Sequence, residues 1–447
     1  MSETRGVNSE GVDMRKITIY LSLLLSLALI ATACVSDAEE ETTTTTTTAA
    51  PTDTPAPAAA DTTEGTTEPA GPVLIGSIHP LTGGLAGAGS RMDNGAKMAV
   101  EEINAAGGIA SLGGAPLELL SADSTGAAEV GQSEAERLIG EGVSAIIGTY
   151  QSAVTSNVAA IAERDGVPLV IDVAVDDSIL DQGYTNVFRI QPNATSMGAA
   201  GAQFLSELAG DEIQTVAYLH DDTGFGVSVA DAFEAAAAEY GIEVTTRIPY
   251  PPFEVTDLTT EMSQAAAASP DVIVVTGYYN DGLLAARAAA DLEVDVKAVI
   301  GIAQGAYHTP QFVADFGAGA ELFFNSNYHF NSSDPKVQDV LERFEAAYGE
   351  PMDTEAMLSY QAIYVIADAL ERAGSADPAD VRAALAETNL SDHFMAYPGP
   401  ITFDETGENV NAQPVLMQVI DGAVLQVLPL DLREAEPIFP GTSWSSN

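Results

Sequence analysis

The chain has 447 residues, of which 46% are hydrophobic, with 16 Lys+Arg against 65 Asp+Glu, a net charge of −49 and one Cys. The apolar fraction excludes a wholly disordered chain, and the length predicts two or three domains rather than one small core. The charge excludes nucleic acid as a partner, because phosphate binding needs a basic face, and the single Cys excludes an intrachain disulfide and a Cys-based zinc cluster.

So many carboxylates repel one another in dilute buffer, and molar salt, with a Debye length of about 3 Å, removes most of that cost. The surplus points to a salt-tolerant source, with a merely solubilising acidic surface as the alternative. At the N-terminus, Met14-Arg15-Lys16 precedes the apolar run ITIYLSLLLSLALIATA and then Cys34. A basic start, an apolar stretch and small residues before a Cys predict a signal peptide over 1–33, with Met14 as an alternative start. Ala31-Thr32-Ala33-Cys34 resembles the lipobox of bacterial lipoproteins. That resemblance implies cleavage before Cys34 and lipidation of its thiol and new amine. An uncleaved membrane anchor is the alternative. Residues 34–72 hold Glu39-Glu40-Glu41, the run Thr42 to Thr48 and a Pro/Ala/Thr/Glu stretch, a composition that buries no core and predicts an extended tether.

From Val73 short apolar runs alternate with amphipathic stretches. Strands are predicted at VLIGSI (73–78), LELLSA (117–122), SAIIGTY (144–150) and PLVIDV (168–173), with helices over 91–105, 127–140 and from Ser152. The pattern then restarts. Helices are predicted over 195–209, 226–240, 257–268 and 282–291, and strands at TVAYLH, IEVTTR, DVIVVTG and VKAVIGI. Near-continuous apolar strands separated by helices predict an α/β protein with parallel sheets covered on both faces, in two doubly wound lobes. Ligands of such sheets sit outside the carboxyl ends of the strands. The candidate loops are therefore His79 to Gly84, Tyr150 to Ser152, Val173 to Asp177, Asp221 to Phe225, Tyr278 to Asp281 and Ile302 to Tyr307. Their aromatics, hydroxyls and amides suit a small, partly apolar organic ligand.

These segments resemble the leucine/isoleucine/valine-binding type of solute-binding protein for ABC transporters, over about Val73 to Val427. VLIGSIHPLTGGLAGAGSRMDNGAKMAVEEINAAGGI looks like that family's first strand, Pro-Leu-Thr-Gly loop and first helix. VSAIIGTYQSAVTSNVAAIAERDGVPLV, VFRIQPNATSMGAAGAQFL, VAYLHDDTGFGVSVA, VIVVTGYYNDGLLAARAAA and the run Gly399 to Gly407 follow in the family's order. The resemblance implies a type I periplasmic-binding fold with three crossings between lobes. It implies a first lobe of 73–192 plus 329–411, a second of 193–328 plus 412–430, and a tail of 431–447. It also implies hinge closure around a small ligand, delivery to ABC permease and ATPase subunits, and an extracytoplasmic location.

The same resemblance implies site residues. Ser152, at a helix start, aligns with the serine that binds a ligand carboxylate, with Gln151 beside it; a plain N-cap is the alternative. Val173, Ala174 and Val175 stand where the family has a small-residue loop ending in Thr, so one hydroxyl is lost. Asp176 and Asp177 are expected to cap the next turn. Phe225 and Tyr279 align with aromatics that flank the ligand, and Tyr150, Tyr278, Thr82 and Asp281 are further candidates. Gln304 stands near the place where amino-acid binders carry an acid for the ligand's ammonium. Either another acid compensates, Asp281, Asp221 or Asp222, or the ligand is one of the amides, aromatic acids or small carboxylates that relatives bind.

Two other classes are weighed. A surface-anchored hydrolase would need a nucleophile motif, and no Gly-x-Ser-x-Gly or His-Glu-x-x-His occurs. The five His (79, 220, 308, 329 and 393) are scattered and read as loop or surface residues rather than metal ligands, so neither metal nor cofactor is expected. A sensor with the same cleft is the other, and the lipobox and tether favour the transporter.

Overall fold

The computed structural model describes residues 71–444. The expected signal peptide, Cys34 and the tether before Gly71 lie outside the described residues. Five strands, β1 (Val73–His79), β2 (Leu117–Asp123), β3 (Ala145–Gly148), β4 (Leu169–Ile171) and β5 (Val187–Arg189), form a parallel sheet in the order β2-β1-β3-β4-β5. Three helices connect them: α1 (Ala86–Ala105), α2 (Ala128–Glu141) and α3 (Ser152–Asp165). β3 and β4 are buried along their whole length, as near-continuous apolar strands must be when helices cover both faces.

A second set follows. α4 (Ala194–Ala209), β6 (Thr215–Asp221), α5 (Gly224–Ala237), β7 (Glu243–Tyr250), α6 (Thr259–Ala267), β8 (Val272–Gly277), α7 (Tyr279–Asp291), β9 (Ala298–Gln304), α8 (Pro310–Phe316) and β10 (Phe324–Asn327) make a second lobe. The chain then returns through α9 (Pro335–Tyr348), α10 (Thr354–Ala373) and α11 (Pro378–Ala386), and ends in β11 (Val415–Ile420) and β12 (Ala423–Leu428). The second sheet runs β12-β11-β10-β9-β8-β6-β7, parallel except for β11 and β12. Those two form a hairpin whose two-residue loop, Asp421-Gly422, has positive φ at both positions (52° and 75°), as a type I′ turn requires.

Two helices begin earlier than the apolar period predicts. α1 starts at Ala86 rather than 91, because its first turn is seated on the 79–84 loop: a Cβ on Gly89 would stand 2.1 Å from Pro80 O. α7 starts at Tyr279 rather than 282, because Asp281 Oδ2 accepts from Tyr278 N at 3.0 Å and caps the helix.

In the first lobe α1 packs on α10 across one face and α2 on α3 across the other; in the second, α4 pairs with α5 and α6 with α7. One apolar cluster runs without a break through the facing sides of both lobes, from Ile75 and Tyr150 to Tyr278 and Ile302. The outer faces have their own cores. At the hinge two crossing segments lie side by side: Arg189 N donates to Gly407 O at 2.8 Å and Asn409 Nδ2 to Ile190 O at 2.9 Å.

Candidate functional site

A small cavity, about 360 Å³ up to its mouth, opens between the carboxyl ends of the two sheets. Tyr150, Ser152, Val173, Ala174, Val175 and Glu355 line it from the first lobe, Phe225, Gly277, Tyr278, Ala303 and Gly305 from the second, and Tyr328 from the crossing after β10. Most of its wall is aromatic or aliphatic.

Ser152 is the first residue of α3 and not its cap; Gln151 holds the cap position, with extended backbone. Ser152 Oγ accepts from Asp176 N at 3.3 Å, so its own proton is free to donate. The N–H groups of a helix's first turn have no intrahelical partner, and the dipole there favours an anion. The 173–175 loop faces this helix start. It is held from behind by buried Arg189, whose Nη1 donates to Val175 O at 2.6 Å and Nη2 to Asp176 O at 2.7 Å. Asp176 caps the following 3₁₀ turn through Ser178 N at 3.0 Å, and Asp177 accepts from Thr195. Their charges are thus spent on local backbone and a hydroxyl.

Across the cavity the rings form a chain. Tyr150 lies 5.7 Å from Tyr278, and Phe225 5.4 Å from Tyr278, in tilted contacts. Burial pushes the phenols of Tyr150, Tyr278 and Tyr328 well above their ordinary range, so all three are neutral.

Other sequence candidates stand elsewhere. Tyr279 points outward and donates to Asp315 Oδ2 at 2.8 Å, beside an outer recess with Arg91 and Leu85. Thr82 donates to Asp123 Oδ2 at 2.6 Å. Gln151 donates to Gly126 O at 3.1 Å and, with Asp281, lines a neighbouring recess. Gln304 is fully buried: its Nε2 donates to Tyr278 O at 2.9 Å and Gly277 O at 3.2 Å, and its Oε1 accepts from Ala306 N. Gly282 makes room for it, since a Cβ there would lie 2.2 Å from Nε2. Gln304 therefore ties together the two loops that carry Gly277, Tyr278 and Gly305, and its amide is used up.

Of the acids considered as substitutes, none lines the cavity. Asp281 is committed to the α7 cap, and Asp221 Oδ1 accepts from Thr223 N at 2.9 Å. Burial raises both carboxyls, Asp221 to about 6 and Asp281 to about 7. Asp222 is exposed. The acid that does line it is Glu355, which the sequence reading missed. Glu355 lies in the first turn of α10, whose cap, Asp353, accepts from Ala356 N at 2.9 Å and pairs with Arg91. Close helix packing sets its position: a Cβ on Gly95 of α1 would stand 2.2 Å from Ala356 O.

The histidines need a correction. His308 and His329 lie in loops, whereas His79 and His220 lie in β1 and β6, and all four are buried rather than at the surface. His79 Nε2 meets Asp172 Oδ2 at 2.8 Å and its Nδ1 meets Ser77 Oγ at 3.0 Å. That order of groups mimics a hydrolytic triad, but all three are at most 1% exposed and line no part of the cavity. They brace the end of β4, with Ser359 Oγ also donating to Asp172 at 2.7 Å. His220 Nδ1 meets the Asp221 backbone carbonyl at 2.7 Å and forms no dyad with its carboxylate.

The profile of the periplasmic binding protein family matches residues 72–423. The Leu/Ile/Val-binding protein BraC3 of Rhizobium johnstonii is 30% identical over 340 residues, 75% of this chain and 88% of that protein. Leu/Ile/Val-binding protein homolog 7 of Brucella suis biovar 1 is 28% identical over 381 residues, 82% of this chain and 93% of its own. Among solved structures, the leucine-binding protein LivK of Thermotoga maritima superposes with a TM-score of 0.69 at 27% identity, covering 79% of this chain and 97% of that one. With its two parallel-dominated sheets, its hinge and its interlobe cavity, the chain belongs to the periplasmic binding protein family, as a solute-binding protein of the Leu/Ile/Val-binding type for ABC transporters, and it is not an enzyme.

Proposed function

We propose that this chain binds a small amino acid, or a related small carboxylate or amide, by closing its lobes, and hands it to an ABC permease with its ATPase subunits. The observation that carries the reading is the facing of two unlike walls across one cavity. On one wall Ser152 and the 173–175 backbone offer donors at a helix N-terminus, fitted to a carboxylate. On the other, Phe225 and Tyr278 offer ring faces without charge, fitted to an apolar side chain. The relatives' printed names, Leu/Ile/Val-binding and leucine-binding, agree with such a ligand.

A family of this kind works outside the cytoplasm. We further propose that a lipid on Cys34 keeps the chain at the membrane, on the strength of the Ala31-Thr32-Ala33-Cys34 run behind an apolar stretch. Cys34→Ser is then expected to move the protein from the membrane to the soluble fraction of its native cell; retention would assign the anchor to residues 17–33 themselves.

The ligand class is tested by thermal shift against amino acids, short amides, and aliphatic and aromatic carboxylates. A ligand at 100 times its dissociation constant adds about 2.7 kcal/mol of stability, which raises the midpoint by a few degrees. A shift with at least one amino acid, carboxylate or amide is expected. Silence across all three classes would remove this reading.

A further inference from the structure

The cavity contains one ionisable carboxyl, Glu355, and the surroundings of that group are unusual. It is 3% exposed. Its Oε1 lies 3.4 Å from His308 Nε2, which belongs to the loop after β9 in the opposite lobe. Its Oε2 has no hydrogen-bond partner among the described residues. A buried carboxylate oxygen without a partner is costly, and natural proteins keep such a group where a partner arrives later. Burial alone would raise this carboxyl, but His308 first, and Arg91 more weakly, outweigh burial and hold it below its ordinary value. That direction favours the carboxylate. The helix start beneath it favours the same charge. Asn325 Nδ2 lies 2.8 Å and Gln304 O 3.2 Å from His308 Nδ1, contacts that hold the ring with Nε2 toward Glu355.

The cavity tyrosines place the charge. Tyr150 and Tyr328 line the same cavity as Glu355, and after burial Glu355 is the largest influence raising both phenols. Among the described residues, no Lys or Arg lines the cavity. Ser152 and the 173–175 loop, fitted to an anion, belong to the same lobe as Glu355.

We propose that Glu355 is the counter-charge for a ligand ammonium, taking the part that the acid missing at Gln304 would have played, so that the first lobe alone reads both charges of an α-amino acid. The carboxylate lies on Ser152 and the 173–175 backbone, the ammonium on Glu355 Oε2, and the side chain against the contiguous rings of Tyr150, Phe225 and Tyr278. The second lobe then contributes rings and backbone, and its His308 reaches the other oxygen of the same carboxylate. Ligand and lobe closure thus converge on one group. This inference rests on the reading of the cavity as an amino-acid or carboxylate site.

The test uses the purified full chain and isothermal titration. The probes are leucine, isoleucine and valine and, for each, the acid that lacks only the amino group. The wild type is expected to bind at least one amino acid about 100-fold more tightly than its amino-free counterpart, the discrimination that a buried charge pair gives. Glu355→Gln is expected to lose most of that factor for the amino acid while leaving the amino-free acid unweakened. Equal binding of both members of each pair by the wild type, a comparison that needs no substitution, overturns the inference and leaves a carboxylate receptor standing. So does an undiminished amino-acid affinity in a Glu355→Gln variant whose ligand-free melting is unchanged. Failure of the wild type to bind any probe, together with silence in the broader screen, removes both the inference and the reading beneath it.

Discussion

Ser152 occupies a position where a hydroxyl has two tasks and can do both. Its oxygen accepts from Asp176 N at 3.3 Å, steadying the 173–177 loop, and its proton remains for a ligand. Ser152→Ala removes the donor and leaves Asp176 N without that acceptor. Binding of a carboxylate ligand is expected to weaken by about 1–3 kcal/mol, measured by titration. Unchanged affinity would take Ser152 out of the site. The serine's place at the cavity was legible because it follows an apolar strand and starts a helix; the same rule named Val173, Ala174, Val175, Phe225, Tyr150 and Tyr278, which line the cavity, and Thr82, Tyr279 and Asp281, which do not. Glu355 escaped that rule because it follows no strand: it sits at the head of the long apolar helix α10, where the pattern reads as core. Gln304 was legible as a departure but not in its use, since only the fold brings Gly277 O and Tyr278 O to its amide.

At the scale of an element, α7 shows how a helix start can carry a pH response. Asp281 caps Tyr278 N at 3.0 Å while 2% exposed, and burial first, then the neighbouring Asp221, raises its carboxyl from 3.8 to about 7. The folded state therefore holds a proton that the unfolded state has released between pH 4 and 7. Stability from this group is fully present below pH 4 and falls as pH rises through 7. An Asn keeps the acceptor for Tyr278 N but cannot ionise. Asp281→Asn is expected to match the wild type near pH 4 and to exceed it by about 4 kcal/mol at pH 8, read from denaturant unfolding across that range. A difference that does not change with pH would mean that Asp281 is ionised in the folded protein. The strand–helix alternation was legible up to β9, because each apolar run there is short and bounded, except at β5, whose three residues are too few to show a pattern. The closing hairpin was not read as strands, although Asp421-Gly422 between two apolar runs carried the turn signal.

At the scale of the molecule, charge dominates. Sixteen basic residues face 65 acids. Several arginines already serve two acids each: Arg137 bridges Glu134 and Glu141, Arg164 bridges Glu136 and Asp165, and Arg247 bridges Asp231 and Glu234. Added salt does two opposite things to such a surface. It weakens exposed pairs, each worth about 0.2–1 kcal/mol, and it screens the repulsion among carboxylates that have no partner. The pairs are limited by the supply of cations, whereas the excess of 49 negative charges is not. Screening of repulsion should therefore win. The midpoint of thermal unfolding is expected to rise by about 5 °C or more between roughly 0.05 and 2 M NaCl, and KCl at equal ionic strength should match it. Closure brings two acidic lobes together, so ligand affinity should rise over the same range. A rise confined to sulfate salts would reflect exclusion of the salt from the surface rather than screening. A flat or falling midpoint in both chlorides would show that the carboxylates are spaced widely enough for water alone, and would leave the acidic surface as a device for solubility rather than for a saline setting.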